Sequence, residues 1–185
     1  MRLFFAVNLE PQVRDALRRA QERLKGAGAD VRWTSADGLH ITLKFLGEVA
    51  ESRVPDIASV GRQAAGEAKP FEIRMEGLGV FPSAKSPRVV WAGVVEGAKE
   101  LVSLAERLEA LLEPLGFARE KRPFAAHVTL GRARTPRGMQ ELVPLLESKE
   151  NFGRSSAIYL SLMRSELRPE GARYSSVEEF KLGVG

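Results

Sequence analysis

The fold is decided by two short stretches, LHITLKFLG at residues 39–47 and AHVTLGR at residues 126–132. Each carries the triplet His-x-Thr, which begins at His40 in the first stretch and at His127 in the second. Side chains alternate across a β-strand, so the histidine and threonine of a triplet face one side while the apolar residues around them face the other. Both stretches are therefore predicted to be strands with a polar face on a cleft and an apolar face on the core.

The segments that precede the two triplets resemble each other. FFAVNLEPQVRDALRRAQERL precedes the first and VWAGVVEGAKELVSLAERLEALL precedes the second, and both predict a strand followed by an amphipathic helix. Ala6 and Ala92 are 86 residues apart and the two histidines are 87 apart, so one gap aligns the two units. This similarity indicates an internal duplication, which would place both histidines in one cleft about a pseudo-two-fold axis.

The other periodic segments complete an α+β fold without long linkers. Helical spacing is predicted from Pro11 to Leu24, from Val54 to Ala68, from Leu101 to Leu115 and around Met139 to Leu146; strands are predicted at residues 2–8, 71–81, 88–95, 156–163 and 173–182. The connection PSAKSP predicts a hairpin between the strands at 71–81 and 88–95. Residues 1–185 are expected to form a single domain of two pseudo-symmetric lobes.

Composition limits the class of protein. With 44% hydrophobic and 28% charged residues, the chain has the balance of an ordinary globular domain. The absence of cysteine excludes disulfides, thiol nucleophiles and thiolate metal sites, and it favours a reducing compartment such as the cytoplasm. Asn8 and Glu10 interrupt the apolar N-terminus, so neither a signal peptide nor a membrane span is predicted. The net charge of +4 favours a polyanionic partner only weakly, because an arginine-rich composition has other causes.

The paired triplets have a clear chemical meaning. An imidazole titrates near neutrality, and one on each side of a phosphodiester can deprotonate an attacking water and protonate a leaving oxygen without a metal ion. The threonine hydroxyls Thr42 and Thr129, with a nearby cation, would stabilise the charge on the phosphate oxygens. A single His-x-Thr is common by chance, but these are the only two histidines of the chain and they stand at equivalent points of the repeat. Arg132 is the best-placed cation, although an arginine just past a strand is equally often a surface residue.

The aromatic and lysine residues near these motifs have weaker signals. Trp33, Phe45, Phe81 and Trp91 could stack on nucleobases, but aromatics in such runs more often belong to the core. Lys44 and Lys85 are predicted to be solvated rather than to bind a ligand.

The sequence resembles the 2H phosphoesterase superfamily, and within it the bacterial and archaeal RNA 2',3'-cyclic phosphodiesterase family, also called 2'-5' RNA ligase. The resemblance spans nearly the whole chain, and it is carried by RLFFAVNL, VRWTSADGLHITLKFLGEV, GVFPSAKSPRVVWAGV, HVTLGRAR and SELRPEGARYSSVEEFKL. It implies a bilobal α+β fold in which two antiparallel sheets surround a central groove, with helices on the outer faces.

The resemblance also implies roles for five residues. His40 would be the proton donor, His127 the proton acceptor that activates water, and Thr42, Thr129 and Arg132 the groups that hold the phosphate. The implied reaction opens a terminal 2',3'-cyclic phosphate to a 2'-phosphate with neither metal nor cofactor. Ala126 stands where family members often carry a proline, which removes no catalytic group.

Two alternatives to hydrolysis remain open on the sequence. The same chemistry in reverse would make the protein a 2'-5' RNA ligase acting on tRNA halves, and the groove could instead be a non-catalytic module that binds RNA ends. Hydrolysis is favoured because no GxxxxGK(S/T) phosphate loop is present to couple ATP to ligation. The expected partner is RNA with 2',3'-cyclic phosphate ends, tRNA fragments among them, and the expected state is a monomer.

Overall fold

The structure is a computed structural model that describes residues 1–184. In that range the strands are β1 Arg2–Asn8, β2 Val31–Trp33, β3 His40–Glu48, β4 Phe71–Ser83, β5 Ser86–Glu96, β6 His127–Ala133, β7 Asn151–Ala157, β8 Tyr159–Arg168 and β9 Gly171–Lys181. The α-helices there are α1 Pro11–Lys25, α2 Val54–Gly66, α3 Ala98–Leu112 and α4 Met139–Leu142. None of the described helices has the length and apolar character needed to cross a bilayer.

The strands form two antiparallel sheets, in the orders β3-β1-β8-β9 and β2-β6-β5-β4-β7. Each histidine strand pairs with the first strand of its own repeat, β3 with β1 and β6 with β5. The two histidine strands also contact each other although they belong to different sheets. This arrangement confirms the predicted α+β fold of two antiparallel sheets.

Strand β1 is apolar on both faces because it separates the core from the cleft. Leu3, Phe5 and Val7 point into the main core. Phe4 and Ala6 point the other way, where they form a small separate cluster with Met163. The continuous apolar run of β1 thus reflects burial on both sides, and it explains why this strand lacks the alternation of a half-exposed one.

Helices cover the core faces of the sheets. The stripe of Val13, Leu17, Ala20 and Leu24 on α1 is buried, and α1 packs against β7 of the five-stranded sheet. Helix α3 contacts both β3 and β5, and α2 contacts α3, β8 and β9. Since α1 comes from the first repeat and α3 from the second, each repeat sends its helix against strands of the other sheet, and one buried cluster runs through both.

Two elements differ from the sequence prediction. The strand predicted at 156–163 spans the boundary between β7 and β8, because the chain leaves the five-stranded sheet at Ala157 and enters the four-stranded sheet at Tyr159. The sequence of β7 is polar and contains a glycine, so it shows little strand propensity. Its pairing with β4 stabilises the strand in the folded protein. Strand β2 was not predicted, since three residues are too few to show a period.

The prediction that Lys44 is solvated is wrong, whereas Lys85 is exposed as expected. The Lys44 side chain is 2% exposed, and its Nζ lies 2.9 Å from the Glu109 carboxylate on α3. The same Nζ donates to the carbonyl of Ala118 at 2.7 Å. A buried ammonium requires such partners because burial removes its hydration. Lys44 therefore joins the histidine strand β3 to α3 and to the segment that leads to β6.

We expect Lys44→Met to lower the free energy of unfolding by about 3–5 kcal/mol, because it leaves the Glu109 carboxylate, 15% exposed, without its partner. Urea denaturation followed by circular dichroism measures the loss. The double variant Lys44→Met with Glu109→Leu should recover much of that stability, since neither charge then remains buried. Equal stability of Lys44→Met and the wild type would show that the pair contributes little to the fold.

Candidate active site

One cavity of about 860 Å³ lies between the two sheets and contains all five predicted site residues. His40 and Thr42 line it from β3, and His127, Thr129 and Arg132 line it from β6. The structure therefore brings together residues that lie more than 80 positions apart in the sequence. Their chemical roles remain predictions at this point.

Each histidine strand has one extra residue directly after its threonine. On β3, Ala6 pairs with Thr42 and Phe5 pairs with Lys44, so Leu43 is skipped. On β6, Trp91 pairs with Thr129 and Val90 pairs with Gly131, which skips Leu130. Such a bulge shifts the side-chain alternation by one residue. The same irregularity at the same point of both triplets supports the internal duplication.

The bulge on β6 explains why Arg132 reaches the cavity. In a regular strand, Arg132 would share the core side with Val128 and Leu130. Because Leu130 is the extra residue, Arg132 returns to the side of His127. The Leu130 carbonyl is held by two donors, the side-chain amide of Gln21 on α1 and the Thr34 backbone N–H, each at 2.9 Å. Helix α1 thus fixes the bulge that aims the arginine.

His40 is the more buried of the two imidazoles, with 7% of the residue exposed. Its ring stacks on Phe4, with centroids 4.9 Å apart, and meets the edge of Tyr174 at 5.2 Å. Burial lowers the pKa of His40 to about 4, a shift that the backbone and the carboxylate of Asp37 oppose. Nδ1 is buried without a hydrogen bond of normal geometry to any described residue. The ring is therefore neutral at pH 7 in the free protein, and its remaining nitrogen faces the cleft.

His127 has a tautomer fixed by the backbone. Its Nδ1 lies 2.7 Å from the Ala125 carbonyl, and because a carbonyl only accepts, Nδ1 carries the proton. Nε2 then offers a lone pair to the cavity. Burial lowers the pKa of His127, the Ala125 hydrogen bond opposes this, and the nearby positive charge of Arg132 lowers it further. The geometry is that of a neutral base poised to accept a proton.

Tyr174 and Asp37 complete the surroundings of His40, and sequence reasoning did not identify either as a site residue. The Asp37 carboxylate accepts the Tyr174 backbone N–H at 3.0 Å, which holds the edge of the Tyr174 ring against the imidazole. Tyr174 lies on β9, whose contact with His40 arises only in the folded sheet. Both Asp37 and Tyr174 lie in segments that carry the family resemblance, but neither belongs to the His-x-Thr triplets from which the site was predicted.

The four candidate stacking aromatics have separate positions. Trp33 packs against the core. The rings of Trp91 and Phe81 are tilted by 31° with centroids 5.1 Å apart, and Phe81 in turn meets the His127 ring edge-on at 5.1 Å. Phe45, five residues after His40 as Arg132 is after His127, is 56% exposed and lines the cavity. Of these four, Phe45 and Phe81 therefore border the space where a base would lie.

The described residues contain no group of three or more histidine, cysteine or acidic side chains arranged to hold a metal ion. The ends of β3 and β6 bring imidazoles, hydroxyls and a guanidinium group to the cavity, and three glutamates line its α3 side and the segment before β6. This donor set suits an anionic ligand and acid-base chemistry.

Proteins of similar sequence and structure include members of one family of phosphoesterases. The model of the LigT like phosphoesterase family matches residues 7–91 and 93–174. An RNA 2',3'-cyclic phosphodiesterase of Methanothermobacter thermautotrophicus is 38% identical over 184 residues, which covers 98% of this chain and 99% of that protein. The crystal structure of a Thermus thermophilus protein superposes with a TM-score of 0.82 at 34% identity, covering 99% of this chain and 98% of the other. Escherichia coli LigT complexed with 3'-AMP has a TM-score of 0.81 at 25% identity, with 98% and 97% covered.

We expect the His40 imidazole of the free protein to titrate near pH 4 and that of His127 below 6.5. Addition of a nucleoside 2'-phosphate should raise both values, because a bound anion stabilises the charged rings. NMR titration of the ring carbon protons measures this, and His127→Asn assigns the two signals. A His40 ring that titrates at or above 6.5 without ligand would contradict the buried, neutral state.

Proposed function

Since the chain belongs to the LigT-like phosphoesterases of the 2H superfamily, we propose that it is an RNA 2',3'-cyclic phosphodiesterase. The reaction is the hydrolysis of a terminal 2',3'-cyclic phosphate to a 2'-phosphate. The observation that carries the proposal is the pair of neutral imidazoles in one cavity, one of which has a backbone-fixed tautomer. Relatives that are 30–38% identical over nearly their whole length bear the name of this activity.

In the proposed reaction His127 is the proton acceptor. Nε2 takes a proton from water as the water oxygen attacks phosphorus in line with the departing 3'-oxygen. The bond from phosphorus to the 3'-oxygen breaks while the bond to the 2'-oxygen remains. The product is a 2'-phosphate beside a free 3'-hydroxyl, and the proton later returns to solvent.

His40 is the proton donor to the departing 3'-oxygen. Its low pKa keeps the ring neutral in the free protein, so the donor role requires that the ring gain a proton when substrate binds, because the phosphate anion favours the charged form. Proton uptake by His40 is thus coupled to substrate binding.

Thr42, Thr129 and Arg132 are proposed to hold the phosphate. The two hydroxyls donate hydrogen bonds to the non-bridging oxygens from opposite sides of the cleft, and the guanidinium offsets the charge that develops on them. Arg132 fits this role because, in the described part of the chain, its side chain makes no hydrogen bond or ion pair. It therefore has its donors free for a ligand.

The domain organisation, oligomeric state, compartment and RNA substrates are also proposals, and they rest on the composition and on the site. Residues 1–185 would act as a single domain and as a monomer, since both triplets come from one chain. The cysteine-free sequence favours the cytoplasm. RNA fragments, including those of tRNA, would be the substrates. Size-exclusion chromatography with light scattering tests the monomer.

We expect the wild type, with EDTA and without ATP, to convert a short RNA with a 2',3'-cyclic phosphate end to the 2'-phosphate. His40→Ala and His127→Ala should each reduce the rate by roughly 100- to 10,000-fold, the contribution of one acid or base. Arg132→Ala should reduce it by about 100- to 1,000-fold through loss of charge stabilisation. Chromatography that resolves 2'- from 3'-phosphate ends measures the outcome, and Lys85→Ala, an exposed turn residue, is the control.

Other outcomes identify the two alternatives. Joining of the RNA to a second RNA that bears a 5'-hydroxyl would indicate the ligase. Tight binding of the RNA without any turnover would indicate the binding module. Unchanged hydrolysis in either histidine variant would show that the assigned roles are wrong.

A further inference from the structure

Five cationic side chains line the cavity, and they fall into two groups. Lys44 and Arg119 are engaged in ion pairs with Glu109 and Glu113. The side chains of Lys121, Arg122 and Arg132 make no hydrogen bond or ion pair with any residue in the range 1–184. Arg132 is accounted for by the reactive phosphate, but Lys121 and Arg122 have no role in the proposed reaction. Both are exposed, on the segment that precedes β6.

The reaction geometry determines which side of the cleft the RNA occupies. Water attacks from the side of His127, and in-line displacement puts the departing 3'-oxygen on the side of His40. The ribose that carries this oxygen must therefore lie on the His40 side as well. Its 5'-oxygen bears the rest of the RNA chain, so the upstream phosphates also start from the His40 side of the cleft.

Lys44 places the 118–122 segment on that same side. Its Nζ donates to the Ala118 carbonyl at 2.7 Å and lies 3.8 Å from the Glu120 carboxylate. Lys44 lies four residues beyond His40 on β3, so Lys121 and Arg122 follow directly after a segment bound to the histidine strand. Arg122 stands five positions before His127, which limits their Cα atoms to roughly 17 Å apart. This is within reach of the next few phosphates.

We propose that Lys121 and Arg122 form a subsite for the backbone phosphates immediately 5' of the terminal nucleotide. The subsite makes the protein selective for oligonucleotide ends over free 2',3'-cyclic mononucleotides, which have no upstream phosphate. It reads no base, because cations bind the phosphate backbone alike for every sequence. This inference rests on the proposed function and names the substrate class of the same site.

The acidic residues of the cavity do not cancel this subsite. Lys44 neutralises Glu109, so Glu120, which is 65% exposed and 3.8 Å from the same ammonium, still lowers the charge of the segment by one. The two cations Lys121 and Arg122 outweigh that single carboxylate. Glu106 is the acidic lining residue that no cation in the described chain pairs with, and it lies on α3 rather than on the 118–122 segment. The positive charge is therefore concentrated where the RNA would leave the cleft.

The test compares the double variant Lys121→Ala with Arg122→Ala on two substrates: a ten-nucleotide RNA and a mononucleotide, each with a 2',3'-cyclic phosphate. We expect KM for the RNA to rise roughly 10-fold, with kcat unchanged and with kcat/KM for the mononucleotide within about twofold of wild type. The dependence of log KM on log salt for the RNA should fall by about 1.4, or roughly 0.7 for each lost phosphate contact.

The matched control is Lys69→Ala with Lys99→Ala, which removes the same charge from two exposed lysines outside the cavity. It should leave both substrates unaffected. A variant that slows the two substrates equally, or neither, would overturn the subsite. Fluorescence anisotropy with a labelled RNA ending in a 2'-phosphate tests the subsite independently of the hydrolase activity. Weaker binding by the Lys121 and Arg122 variant supports the subsite even if the wild type hydrolyses neither substrate.

Discussion

The bulges at Leu43 and Leu130 are the constraint on which the rest of the site depends. Upstream of each bulge the strand faces the cleft with a histidine and a threonine, and downstream of it the alternation is reversed. On β6 the reversal aims Arg132 into the cavity, and on β3 it turns Lys44 toward α3. The Leu130 carbonyl is satisfied by Gln21 and Thr34, so removal of the bulge would leave buried polar groups unpaired. The bulge at Leu130 is therefore held in place by hydrogen bonds from the surrounding core.

Burial of the histidines sets the electrostatic character of the cleft. Packing of His40 between Phe4 and Tyr174 excludes water from one face of the ring, and the fold consequently favours the neutral form. A neutral pair of imidazoles cannot act as acid and base at once, so in the proposed reaction the substrate anion supplies the missing stabilisation of the charged ring. In that scheme the His40 ring is charged only while the cleft holds the phosphate.

The sequence was informative wherever the contacts are local or repeated. Alternation in the two triplets predicted which residues face the cleft, and the repeat predicted that His40 and His127 share it. It was uninformative where contacts join distant segments. The burial of Lys44 depends on Glu109 and Ala118, 65 and 74 residues away, and a lysine in an amphipathic strand gives no sign of such partners. Tyr174 meets His40 although β9 and β3 are opposite edges of the four-stranded sheet, and the Asp37 carboxylate just before β3 accepts its backbone N–H.

Departures from the pseudo-symmetry explain how a duplicated fold can act on an asymmetric substrate. Two identical halves would bind a phosphate equally well in either direction. At the position five residues after the histidine, the second half has the cation Arg132 and the first half has the aromatic Phe45. The backbone tautomer lock is found on His127, whereas Nδ1 of His40 lacks a comparable bond among the described residues. Charge and an imidazole of fixed tautomer lie on one side, and apolar surface with the more buried imidazole lies on the other. In the proposed reaction this asymmetry directs water to the β6 side and the ribose to the β3 side, and thereby determines which oxygen leaves.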